Sequence, residues 1–156
     1  MLAEIKRSND ETVAEFHRDF PYPIEEVWTM LTDNDHLVKW FSELKIQELT
    51  EGGKLLFDMG NGSYEEMTIT EVKIPTVWEF TWDENLIRFN LSENAEGTHL
   101  VLKEYMKEVT EHTARDIAGW HVCLDVISLL LANKTIENRQ DKWEKVYPEY
   151  KKQLTK

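Results

Sequence analysis

Apolar positions along this chain recur with two periods, and the periods change in a definite order. Val13 to Phe20 places Ala14, Phe16 and Phe20 on one side and Glu15, His17 and Asp19 on the other. That alternation is the period of a strand. Pro21 and Pro23 end it, and Pro23 suits a helix start, where its missing N–H costs little. Ile24, Val27, Trp28 and Leu31 then fall at i, i+3, i+4 and i+7. This spacing predicts a short helix over Ile24 to Thr32, with Glu25 and Glu26 favourably placed in its first turn. Asp33-Asn34-Asp35 reads as a turn and cap before a second short helix carrying Leu37, Trp40 and Phe41.

From Lys45 to Met106 the period returns to two. Gly52-Gly53 turns into Lys54 to Met59, Gly60-Asn61-Gly62 into Glu66 to Lys73, and Ile74-Pro75-Thr76 into Val77 to Trp82. Asp83-Glu84-Asn85 leads to Leu86 to Leu91, and Asn94 to Gly97 leads to Thr98 to Met106. Strands this close, joined by short loops, predict an antiparallel meander. The last strong signal is a long helix from Ala114 to Asn133. Ile117, Trp120, Leu124, Ile127 and Leu131 form a stripe, widened by Cys123, Val126 and Leu130, and only His121, Asp125 and Ser128 make a polar strip. A helix apolar over so much of its girth needs wide cover, and the concave face of a curved sheet supplies it. After Asn133 the chain reads as a polar stretch, then Trp143, Tyr147-Pro148 and a Lys-rich tail. The order of strand, two short helices, strands and long helix is α+β. Residues 1–11 are expected to be a flexible N-terminal segment, and residues 12–156 one domain.

Composition narrows the function classes. The 156 residues carry 18 Lys+Arg against 30 Asp+Glu, a net charge of −12. An excess of carboxylates repels phosphate backbones and anionic lipid, which argues against a nucleic-acid partner. No apolar run approaches the roughly 20 residues of a membrane-spanning helix, so membrane insertion is not expected. Six Trp and 11% aromatics supply core rather than disorder. A lone cysteine, Cys123, excludes an internal disulfide and a Cys-based zinc cluster. No signal peptide or lipidation motif is read, and the expected compartment is the cytoplasm.

Five stretches carry a family likeness. Tyr22-Pro23-Ile24-Glu25-Glu26-Val27-Trp28 with His36-Leu37-Val38-Lys39-Trp40-Phe41 resembles the opening motif of the SRPBCC (START-like) superfamily. Within it, the chain resembles the branch of activators of the heat-shock-protein ATPase. Gly52 to Phe57 resembles the first hairpin, Trp78 to Trp82 the central strand, Gly97 to Leu102 the last strand, and Gly119-Trp120 with Leu124 the C-terminal helix. The resemblance implies a helix-grip: a curved antiparallel sheet wrapped around the long C-terminal helix, with an apolar cavity between them. It implies no single activity, since such a fold hosts several.

On that frame the aromatic residues are the candidate site. Trp40, Phe57, Met59, Met67, Trp78, Phe80, Trp82, Phe89, Tyr105, Trp120, His121 and Leu124 are expected around a cavity for a hydrophobic or aromatic molecule. Glu104 and Arg88 sit among apolar neighbours, and either could be its polar anchor. Catalytic residues are not identified. His121, Asp125 and Ser128 fail as a triad, because Ser128 lies roughly 10 Å from His121 along the helix. Gly60-Asn61-Gly62-Ser63 lacks the Lys and following helix of a phosphate loop. Glu65-Glu66 and Asp83-Glu84 are adjacent strand positions whose side chains diverge. His17, His36, His99 and His112 show no paired ligand spacing, so neither a metal nor another cofactor is expected, and His17 and His99 read as solvated side chains. Three functions stay open: a binding protein for a small hydrophobic molecule, linked to stress response; a protein-interaction module with a chaperone or other protein partner; and a cyclase or dehydratase using the same cavity.

Overall fold

The period-two stretches pair into one antiparallel sheet. In the computed structural model, which describes residues 1–155, the strands are β1 (Glu4–Arg7), β2 (Thr12–Phe20), β3 (Leu44–Ile46), β4 (Lys54–Asp58), β5 (Tyr64–Lys73), β6 (Val77–Trp82), β7 (Asn85–Asn94) and β8 (Gly97–Met106). The helices are α1 (Ile24–Thr32), α2 (Asn34–Trp40), α3 (Thr113–Leu131) and α4 (Arg139–Leu154). The strand order is β1-β2-β8-β7-β6-β5-β4-β3. Thus β3 to β8 form the meander expected from their short turns. The exception is β2, which pairs with β8 from Thr12↔Met106 to Phe20↔Thr98 and so sends α1 and α2 across the end of the sheet.

This closure depends on a glycine. A Cβ at Gly97 would lie 2.6 Å from the backbone nitrogen of Tyr22, so only glycine lets the β7–β8 turn meet the end of β2. Thr98 then donates its hydroxyl to Tyr22 O at 2.8 Å.

Alternation decides what faces α3. Ala14, Phe16 and Phe20 of β2, Trp78 and Phe80 of β6, Ile87, Phe89 and Leu91 of β7, and Leu100, Leu102 and Met106 of β8 are buried in one core with α3. Glu104 shares that inward face of β8 and is fully buried. The fold is the α+β helix-grip, with α3 lying on the sheet.

Two segments differ from the sequence reading. Glu4–Arg7, expected within a loose segment, pairs with β2 from Glu4↔Glu15 to Arg7↔Thr12. Its only apolar residue is Ile5, so nothing in its pattern marks a strand. The second is α4, which spans part of the polar stretch, Trp143, Tyr147-Pro148 and the Lys-rich tail, where the pattern predicts no element. Trp143, Val146, Tyr147, Tyr150 and Leu154 recur at helical spacing and pack on the core, diluted by charged neighbours. Pro148 lies inside this helix on its exposed side and removes one backbone hydrogen bond. This helix explains the wide apolar girth of α3: the sheet covers one side and α4 the other. Among the described residues no helix is long and apolar enough to cross a membrane.

Candidate binding site

Trp82, the last residue of β6, sits where core gives way to open space. Its ring is half-buried and meets Trp120 at 5.2 Å, Phe41 at 5.7 Å and Phe57 at 6.1 Å between centroids. Its indole Nε1 donates to Asp116 Oδ1 at 3.2 Å, which fixes the ring against the first turn of α3. Three hollows share this side chain. A groove of about 660 Å³ runs along Trp82, Asn85, Met106, Thr113 and Asp116, rimmed by the segment from Lys107 to His112. A second hollow of about 380 Å³ lies between Phe41, Gly119, Trp120 and Arg139. A third, of about 210 Å³, lies under Phe57, Met59 and Met67.

Behind the groove stands a buried acid. Glu104 Oε2 accepts from Asn85 Nδ2 at 3.3 Å, while Oε1 is completely buried and has no geometric partner among the described residues. Burial first, and then the hydrogen bond and negative charge of Asp116, push the Glu104 carboxyl well above the ordinary carboxylate range. The two observations agree if Glu104 keeps its proton. A neutral carboxyl loses far less on burial than a carboxylate does, and Oε1 is the oxygen left without a partner among the described residues. Asp116, close by, accepts from Trp82 while it lines the groove.

The twelve residues expected around a cavity divide into groups. Phe57, Met59, Met67, Trp82 and Trp120 line the hollows around Trp82. Trp40, Trp78, Phe80, Phe89 and Leu124 are fully buried and fill the space between sheet and helix. Trp78 stacks on Phe89 at 5.4 Å, and Trp40 donates Nε1 to Met30 O at 2.8 Å. Tyr105 is brought to neither place. One-residue alternation on β8 turns it to the opposite face from Glu104. His121 packs between Phe16 and Tyr150, with Nδ1 2.7 Å from the Tyr150 hydroxyl, and so ties α3 to α4. Of the two anchors considered, Arg88 lies on the outer face between Glu71 and Glu79, each at 2.8 Å, and Glu104 lies inside.

Cys123 is buried beside the second hollow, and burial pushes its thiol up to about 12, leaving it inert as a nucleophile. Sequence reasoning missed Asp116 and Asn85. Asp116 is 34 residues from Trp82, and no local pattern announces the pairing.

Similarity to known proteins agrees with this architecture. Residues 21–132 match the model of the family described as activator of Hsp90 ATPase homolog 1-like protein. The chain belongs to that family. Among solved structures, a conserved protein of unknown function from Enterococcus faecalis, EF2215, is 27% identical with a TM-score of 0.87, over 98% of this chain and 90% of its own. CalU16 from Micromonospora echinospora is 19% identical with a TM-score of 0.74, covering 94% of this chain and 91% of that one. DynU16, from the dynemicin biosynthetic locus, is 22% identical with a TM-score of 0.67, over 79% of this chain and 48% of that one. At those identities the last two share the fold with this family member. No curated protein matches the chain in sequence.

Proposed function

We propose that this member of the family binds a small, flat, hydrophobic or aromatic molecule against Trp82. The observation that carries this reading is one half-buried indole shared by three hollows and backed by the buried acid Glu104 beside the half-buried Asp116. A small-molecule site usually joins apolar walls to converging polar groups; here Phe57, Met59 and Met67 supply the wall of the third hollow, and the groove is lined mostly by polar side chains. Asn85 and Asp116, which line the groove, are the polar groups that would orient such a ligand. Gly119 supports the same reading. A glycine inside a helix costs roughly 0.5–1 kcal/mol relative to alanine. Among the described residues, no atom beyond its chain neighbours and its own helix backbone lies within 4 Å of where its Cβ would stand, so packing does not demand it, and it faces the second hollow. One protein of the same fold, DynU16, comes from a biosynthetic locus, a setting of small-molecule chemistry.

The test is a titration of anilinonaphthalene sulfonate and a flavonoid panel, read by tryptophan emission and by backbone amide shifts. Trp82→Leu is expected to weaken binding at least tenfold, with shifts clustered at Asn85, Asp116 and Gly119. The reading fails if no compound binds, or if Trp82→Leu binds as tightly as the parent.

A catalytic reading stands second, on the Glu104–Asp116 pair. A buried carboxyl with a raised pKa beside a second carboxyl is an arrangement suited to general acid–base work. Under it, Glu104→Gln keeps probe affinity and abolishes conversion of a bound compound followed by mass spectrometry. The chaperone-partner reading draws on the family's description, and adding the chain to a purified Hsp90 ATPase assay tests it.

A further inference from the structure

The outer face of the sheet, away from α3, holds a pair of histidines that no binding groove uses. His17 of β2 and His99 of β8 are diagonal neighbours, His99 lying opposite Asp19 and His17 opposite Val101. Their rings are 5.3 Å apart between centroids, and His17 Nδ1 is 3.1 Å from His99 Nε2. Each ring's other nitrogen meets a carboxylate. His17 Nε2 is 2.7 Å from Glu15 Oε1, and His99 Nδ1 is 2.8 Å from Asp19 Oδ1. An ionised carboxylate only accepts, so each outer nitrogen must carry the hydrogen. In neutral rings that leaves both inner nitrogens bare, with two lone pairs facing each other at 3.1 Å. Such an arrangement calls for a positive centre between the rings. A shared proton is the smallest that serves, and a metal ion is the other.

We propose that His17 and His99 form a two-imidazole site for a divalent first-row transition ion, with Glu15 and Asp19 as its orienting carboxylates. Three features support the ion. Metal–nitrogen bonds of about 2.0–2.1 Å put neighbouring ligand nitrogens roughly 3.0–3.4 Å apart, depending on coordination number. The 3.1 Å separation falls inside that span. A metal-bound histidine nearly always gives its second N–H to a carboxylate or carbonyl, which fixes the tautomer and raises basicity. Both rings already have that partner. The carboxylates are themselves held: Glu15 receives Lys6 Nζ at 3.0 Å, and Asp19 receives Asn94 Nδ2 at 3.1 Å.

The charged groups around the pair are Glu4, Glu15, Asp19, Lys6 and Lys103, so one carboxylate is left in excess before an ion arrives. The net charge of −12 draws cations to the surface at long range. The side chains are 38% and 32% exposed, which leaves the rings room to tilt until their lone pairs converge. Among the described residues no three His, Cys, Asp or Glu side chains converge, so water would complete the shell. Imidazole ligands select Zn²⁺, Ni²⁺ or Cu²⁺ over Mg²⁺ and Ca²⁺. The site is independent of the groove at Trp82 and stands or falls by itself.

The test is titration of ZnCl₂ into the full chain by calorimetry, with ¹⁵N NMR of the histidine rings. One ion per chain is expected, with the largest shifts on His17 Nδ1 and His99 Nε2 and none from MgCl₂. Before zinc, His17 should carry its hydrogen on Nε2 and His99 on Nδ1. His17→Gln and His99→Gln should each weaken zinc binding at least tenfold, Asp19→Asn about tenfold, and His36→Gln not at all. Thermal melts confirm that each variant is folded. Absence of zinc uptake, or uptake that survives both glutamine variants or is lost in His36→Gln, overturns the proposal.

Discussion

At the scale of single residues, Glu104 occupies a position that is costly for a carboxyl. Its strand alternates Leu100, Leu102, Glu104 and Met106 on the inward face, so a glutamate stands where the pattern asks for a hydrocarbon. The raised pKa has a definite consequence for stability. A group whose folded value lies above its unfolded value contributes fully below the unfolded value, near 4.5, and that contribution is lost as pH rises through the folded value. In the window between the two, each pH unit removes at most about 1.4 kcal/mol. Glu104→Gln keeps the shape and the bond to Asn85 but cannot ionise. It should therefore match the parent near pH 4 and exceed it increasingly toward neutral pH, measured as melting temperature across that range. A constant difference at every pH would mean that the carboxyl is ionised in the folded protein and that the groove has no acid behind it.

At the scale of elements, the informative contact joins both ends of the chain to the middle. The Tyr150 hydroxyl of α4 accepts the Ala3 N–H at 2.9 Å and donates to His121 Nδ1 at 2.7 Å. Burial chiefly, with the charges of Arg18, the N-terminus and Lys142, pushes His121 down to about 4 from 6.5, against the opposing pull of Asp125. A depressed value means that His121 supports the fold above about 6.5 and that this support is lost as pH falls through about 4. Tyr150→Phe removes both bonds and leaves two buried groups unpaired, at a cost of about 2–4 kcal/mol. Hydrogen exchange should then speed up in β1 and α4 and stay slow in β6, β7 and β8. An even loss of protection over the sheet would show that α4 is part of the core rather than a clasp over it. The same contact explains what the sequence could and could not convey. Strands β2, β6 and β8 and helices α1 and α3 were legible because one buried face imposes one period. In α4 the helical spacing of Trp143, Val146, Tyr147, Tyr150 and Leu154 is diluted by charged neighbours, and in β1 a bond such as Arg7 donating to Leu154 O leaves no periodic trace. Trp82 was legible as an aromatic strand residue, but its partner Asp116 was not, because only the folded sheet brings them together.

At the scale of the molecule, the distribution of tryptophan offers a reading of the whole interior at once. Trp28, Trp40, Trp78 and Trp120 are buried, and only Trp82 and Trp143 are half-exposed. The two report on different regions: Trp82 on the groove, and Trp143 on α4, where it stacks on Tyr147 at 4.8 Å. Acrylamide, being neutral, reaches both without regard to the −12 charge, whereas iodide is repelled by it. In Trp143→Phe, which keeps an aromatic ring beside Tyr147, acrylamide quenching should come almost entirely from Trp82. A flat ligand seated against Trp82 would then cut the quenching constant several-fold. A ligand inserted between sheet and helix would have to displace Phe80, Phe89 or Trp120, and would instead expose buried indoles and raise the quenching. The sign of the change therefore separates a rim site from a central one, because the core aromatics already occupy the middle of the grip.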